Sequence, residues 1–216
     1  MSELLVKAAL SYLLGSIVGS LLIGRLAGGV DIRTLGSGNA GATNALRTLG
    51  KKVAFFVFVI DVAKGWIATG LLAAATVPGV AAAPPEWRAW GVPVCGLGVM
   101  LGHVYPLWHG FRGGKGMATL VGAVLGVGPW LLVPMIVTWL VTVVISGFVG
   151  LASILASCAL AGALVVTDAA APLKAFGIGA ALLVLFTHRS NIARMRAGTE
   201  SRARRLWLFG RRTGQA

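Results

Sequence analysis

MATLVGAVLGVGPWLLVPMIVTWLVTVVIS, from Met117 to Ser146, carries no charged side chain. A helix needs about 20 residues to cross the roughly 30 Å of hydrocarbon in a bilayer, so this run is too long for one crossing and too apolar for water. Gly128-Pro129 and Pro134 interrupt it, and proline ends or kinks a helix just before itself. The run therefore splits into Met117–Val127 and Trp130–Ser146, two helices of a membrane protein.

The rest of the chain agrees. Of its 216 residues, 57% are hydrophobic and 12% charged, against about 25% charged in a soluble domain. Further apolar runs at Leu4–Leu26, Val53–Val77, Ala89–Tyr105, Leu151–Val166 and Pro172–Thr187 complete the set. The expectation is an all-α, polytopic integral membrane helix bundle of about seven transmembrane helices forming one domain over residues 1–216. Five long spans plus two partial ones would use the same residues. The N-terminal run is too long for a signal-peptide core and reads as a retained helix.

Net charge is +13, but the cations flank apolar spans instead of forming a basic face, which argues against a nucleic-acid partner. Arg25, Arg33, Arg47, Lys51 and Lys52 fall between the first two spans, Arg112 and Lys115 after the third, and eight arginines after Thr187. Lys7, Arg88 and Lys174 mark the other side. The positive-inside rule then orients the chain N-out and C-in, and the last ~15 residues form an Arg-rich cytoplasmic tail. Cys95 and Cys158 sit in apolar spans without ligand or disulfide spacing. No metal or cofactor is expected.

On this assignment three polar, glycine-bearing loops share the cytoplasmic face. The first is Gly36-Ser37-Gly38-Asn39-Ala40-Gly41-Ala42-Thr43-Asn44 with Arg47. The second is Gly102-His103-Val104-Tyr105-Pro106, then Phe111-Arg112-Gly113-Gly114-Lys115-Gly116. The third is His188-Arg189-Ser190-Asn191-Ile192 with Arg194, Gly198 and Glu200. Glycine lets backbone N–H groups approach an anion, and Arg, Lys and small polar side chains complete a phosphate cradle. Three such loops on one face suggest one composite site. Residues 36–41 also spell GxGxxG with Asp61 about 20 residues on, but the strand and soluble helix of a dinucleotide fold are missing around them.

The three segments, in order, spacing and placement between spans, resemble the signature motifs of the bacterial PlsY family of acyl-phosphate:glycerol-3-phosphate acyltransferases. The resemblance covers essentially the whole chain. It implies a multi-pass protein of the bacterial inner membrane with its active site on the cytoplasmic side. The implied reaction converts acyl phosphate and glycerol 3-phosphate to lysophosphatidate and phosphate, without a cofactor. Membrane lipid is the implied surroundings, and the resemblance leaves room for contact with the soluble enzyme that makes acyl phosphate. Carried over by position, the functional residues are Ser37, Arg47, Lys115, His188 and Asn191. A further serine before the sixth helix matches Ser153, although Gly150 and Ala152 depart from the usual small polar residues there.

Acyl phosphate is already activated, so the enzyme has to hold two phosphates and align a hydroxyl with a carbonyl. Lys115, with Gly113, Gly114 and Gly116 around it, is assigned to the acyl-phosphate head. Ser37 and Arg47 are assigned to a phosphate, with Gly38, Asn39, Thr43 and Asn44 shaping the first loop. His188 and Asn191 serve the reacting centre, and either His188 or the leaving phosphate itself takes the proton. Each reading has a plainer rival: Arg47 as a snorkelling cation, His188 as a helix-end hydrogen bonder. His103 stands among the substrate-side residues but equally fits a packing role beside Pro106. Asp61 and Lys64, three apart on one helix face, read as a tether between helices. An anion or phospholipid transporter is the competing class, and it would place its polar residues near the midplane in broken helices.

Overall fold

The computed structural model describes residues 1–210, so Arg211 and Arg212 of the expected tail lie outside the described residues. The described elements are helices and turns, with no strand among the described residues. The chain divides into two compact units, Met1–Pro129 and Trp130–Ala216, the second described as far as Gly210.

The first unit holds α1 (Ser2–Gly15), α2 (Gly19–Leu26), α3 (Ala42–Thr48), α4 (Lys51–Trp66), α5 (Pro85–Arg88), α6 (Gly91–Val104) and α7 (Met117–Val127). A π-helical turn, Ile67–Leu72, extends α4. The second unit holds α8 (Leu132–Ser146), α9 (Val149–Val166), α10 (Ala171–Thr187) and α11 (Arg189–Arg196). Each apolar run of the sequence is helical over most of its length. Four helical stretches are long and apolar enough to cross a membrane, or up to six if the bent pairs α1–α2 and α10–α11 each count as one span; α7 is shorter. The break between α7 and α8 falls at Gly128-Pro129, as the proline predicts.

Side chains are distributed as a lipid solvent demands. On α8, Val133, Ile136, Val137, Leu140, Val141 and Ile145 are all exposed, a continuous apolar stripe turned outward. Helices meet through their smallest residues, because lipid supplies no hydrophobic force between helices and close backbone approach must do the work. A methyl on Gly102 of α6 would lie 2.0 Å from the Tyr12 carbonyl oxygen of α1. One on Gly122 of α7 would lie 1.9 Å from the Val62 carbonyl oxygen of α4.

Two expected spans are corrected. The helix of Val53–Val77 stops at Leu72, the end of the π turn, and Leu4–Leu26 is broken at residues 16–18, where the two helices bend by 43°. The break exposes backbone groups that a bilayer cannot solvate, and α4 satisfies them. Lys64 Nζ donates to the carbonyls of Gly15 (3.0 Å) and Ile17 (2.8 Å), while the Gly19 N–H donates to Asp61 Oδ1 (3.2 Å). Lys64 and Asp61 pair at 2.9 Å, both buried. The tether read from their spacing is present, and its partner is the broken first span.

His103 of α6 completes this brace, with Nδ1 2.8 Å from Lys64 Nζ and 3.4 Å from Asp61 Oδ1. An ammonium can only donate. Nδ1 is then the acceptor, and the ring proton of neutral His103 sits on Nε2.

Candidate active site

The first two motifs belong to the first unit, and the brace lies beneath the second. Gly113 and Gly114 fold back over the end of α6, their N–H groups donating to the Val104 (3.0 Å) and His103 (3.1 Å) carbonyls. A methyl on Gly114 would lie 2.2 Å from His103 Nε2 and 3.0 Å from the Ala40 carbonyl oxygen. Glycine is therefore required at 114 by close approach: the imidazole packs against one side and the first motif against the other. The expectation that the Gly113 and Gly114 amides face an anion is corrected, since both satisfy orphan carbonyls of α6.

The rest of this loop runs into α7. Gly116 takes the left-handed conformation, φ +83°, and caps α7. The first turn of α7 carries the amides that no carbonyl of its own helix can reach, and the partial positive charge of its dipole. Half-buried Lys115 stands immediately before it. Backbone amides, a helix terminus and a cation are the groups that can hold an anion.

The first motif is shaped from within by Asn44. Its Oδ1 accepts from the Ser37 N–H at 3.0 Å, and its Nδ2 donates to the Leu35 (2.9 Å) and Ile32 (3.2 Å) carbonyls. Asn44 is buried, so it scaffolds the loop, as its motif position implied. Ser37 and Gly38 are exposed at the tip and Asn39 is half-buried; Thr43 and Arg47 are exposed on α3.

Sequence reasoning missed what joins these two loops. Arg33 pairs with Asp31 (2.7 Å) and donates to the carbonyls of His109 (2.8 Å) and Arg112 (3.0 Å). The hydrogen-bonded guanidinium holds the Asp31 carboxyl below the usual carboxylate range. The only local signal was the Asp-x-Arg spacing, and in the sequence Arg33 counts only as positive-inside charge.

The third motif and Ser153 belong to the second unit, and here two expectations change. Residues 189–196 form helix α11, not a loop, with His188 at the junction with α10. Ser153 lies in the first turns of α9, not before it, and its buried hydroxyl donates to the Val149 carbonyl (3.0 Å). The departures at Gly150 and Ala152 gain a reason at the first of them. A methyl on Gly150 would lie 2.8 Å from Asn191 Nδ2, so the missing side chain makes room for Asn191.

His188 and Asn191 are both buried. His188 Nδ1 lies 2.8 Å from the Val184 carbonyl oxygen. A carbonyl can only accept, so Nδ1 carries a proton. Asn191 Nδ2 donates to Glu200 Oε1 at 2.6 Å, and Arg194 Nε donates to Glu200 Oε2 at 2.6 Å. Glu200 thus fixes the orientation of the Asn191 amide. Its role was missed because nine residues separate the partners, although an isolated acid in an arginine-rich segment was a clue.

Known proteins of this pattern exist. The glycerol-3-phosphate acyltransferase family profile matches residues 5–198. A glycerol-3-phosphate acyltransferase of Bordetella pertussis is 41% identical over 89% of this chain and 88% of its own length. One from Staphylococcus saprophyticus is 37% identical over 95% and 99% respectively. The crystal structure of PlsY (YgiH), an integral membrane glycerol 3-phosphate acyltransferase, in its glycerol 3-phosphate form superposes with a TM-score of 0.82 at 36% identity, covering 92% of this chain and 94% of that one. Its lysophosphatidic acid form gives 0.79 at 35%, with the same coverage. Helices, motifs and relatives agree: the chain belongs to the PlsY family of integral membrane glycerol-3-phosphate acyltransferases.

Proposed function

We propose that this protein transfers a fatty acyl group from acyl phosphate to the 1-hydroxyl of glycerol 3-phosphate, giving lysophosphatidate and inorganic phosphate, at the cytoplasmic face of a bacterial inner membrane. The observation that carries the reading is Lys115 standing before left-handed Gly116 at the head of α7, with the Ser37 loop tied alongside by Arg33. The forms in which the PlsY neighbour was crystallised, with glycerol 3-phosphate and with lysophosphatidic acid, correspond to one substrate and the product.

The chemistry divides among the motifs. Lys115 and the first turn of α7 hold the phosphate of the donor and stabilise it as it leaves. Ser37 and Arg47 hold a phosphate on the first motif. The hydroxyl oxygen of glycerol 3-phosphate attacks the acyl carbonyl carbon, the carbon–oxygen bond to phosphate breaks, and the hydroxyl proton passes to the departing phosphate. His188 and Asn191 are assigned, on the family resemblance, to orienting that hydroxyl. No acyl-enzyme is needed because the mixed anhydride is already activated.

A donor comparison on purified protein tests the reading. Turnover with acyl phosphate and little with acyl-CoA is expected. Comparable rates with both overturn the donor assignment. No turnover with either, alongside anion flux in liposomes, would favour a transporter. Against that rival stands the broken first span, whose freed backbone groups are occupied by Lys64 and Asp61 and not held open for an ion.

A further inference from the structure

The family profile ends at residue 198, and the tail after it has a defined place. Three bonds fasten it to the C-terminal end of α8: Ala203 N–H to the Gly147 carbonyl (2.8 Å), Leu208 N–H to the Val144 carbonyl (2.9 Å) and Trp207 Nε1 to the Ile145 carbonyl (3.1 Å). The last carbonyls of any helix have no partner within it, and near hydrocarbon an unmet carbonyl is costly. The tail is thus the cap of an apolar helix whose outward stripe faces lipid. Its depth follows: it lies where that helix leaves the hydrocarbon.

The side chains at this depth are of two kinds. Leu206, Leu208 and Phe209 are about half exposed, at 50%, 63% and 49%. Arg202 stacks on Phe148 (4.6 Å) and on Trp207 (4.2 Å), which stiffens the segment. Arg204 and Arg205 are exposed beside it. In water the apolar three would be a liability. At a headgroup boundary they bury in the acyl region while arginines meet lipid phosphates.

We propose that Arg202–Phe209 is an interfacial collar that binds anionic glycerophospholipid of the surrounding bilayer, with Leu206, Leu208 and Phe209 inserted and Arg204 and Arg205 on the phosphate headgroups. It is a lipid-binding surface separate from the acyl-transfer reaction.

The test labels F209C with an environment-sensitive fluorophore, in the full chain carrying C95A and C158S, reconstituted in vesicles of phosphatidylcholine mixed with phosphatidylglycerol; L206C provides a second position. Lipids brominated on the acyl chains should quench the label and aqueous iodide should not, relative to a T199C label. Brominated phosphatidylglycerol should quench at least about twofold more than the same amount of brominated phosphatidylcholine, and R204Q/R205Q should remove that difference. Iodide quenching equal to that at 199 in both labelled positions overturns the collar. So does insertion with no preference for the anionic lipid, or a preference that survives R204Q/R205Q.

Discussion

Lys64 on α4 closes the break in the first span by donating to the Ile17 carbonyl at 2.8 Å, while it pairs with Asp61 at 2.9 Å. Removing one member leaves the other buried and uncompensated, which costs about 3–5 kcal/mol. Asp61→Asn and Lys64→Met should each lower the thermal midpoint in detergent markedly, with kcat/KM of the surviving folded enzyme changed much less. Loss of all activity from Asp61→Asn in fully folded protein would mean that the pair does more than brace.

Gly114→Ala places a methyl where His103 Nε2 and the Ala40 carbonyl already stand. The loop carrying Lys115 must move, and small misplacement of a binding group is expensive in rate. A more than about tenfold fall in kcat/KM is expected. Steady-state kinetics that match the wild type would show that the loop yields without disturbing the anion site.

Lys115→Ala and Arg47→Ala should each reduce kcat/KM by more than about tenfold, because each removes a charge-assisted phosphate contact. Thermal midpoints should shift little for Arg47→Ala, which is exposed on α3. Retention of full activity by Arg47→Ala would return that residue to the role of a snorkelling cation.

Glu200 fixes Asn191 and Arg194 through its two oxygens. If Asn191 works through that fixed amide, Asn191→Ala and Glu200→Ala should both lower kcat, and the double variant should lose far less than the product of the two. Independent, multiplying effects would separate Glu200 from the function of Asn191.

Topology is checked by cysteines at Thr48 and Thr199, after removal of Cys95 and Cys158, with an impermeant thiol reagent. Labelling from the cytoplasmic side alone is expected for both. Periplasmic labelling of either would separate the motifs from a soluble substrate.

Apolar runs made the helices legible, because lipid imposes one composition on whatever crosses it. The proline break at Gly128-Pro129 was equally readable, since its cause is local. The break in α1–α2 was not: it has no proline, and the Lys64 ammonium that makes it tolerable lies 47 and 49 residues from the carbonyls it meets. The motifs declared their chemistry through residue type, yet the direction of their amides was hidden. Gly113 and Gly114 looked like anion donors until the chain folded back onto α6. Arg33 and Glu200 escaped notice because a charge near a membrane surface has a ready default reading, and only contact distances distinguish a strut from a solvated side chain.

The bent first span also constrains how the protein is made. When α1 and α2 leave the ribosome, the carbonyls of Gly15 and Ile17 have no partner, because Lys64 is still unsynthesised. Lys64 in turn enters the bilayer beside Asp61 but ahead of His103, which follows it by 39 residues. The N-terminal helices are thus incomplete insertion intermediates until α4 emerges. A nascent chain stalled before Lys64 would present unmet polar groups within lipid, the kind of surface that membrane quality-control proteases act upon.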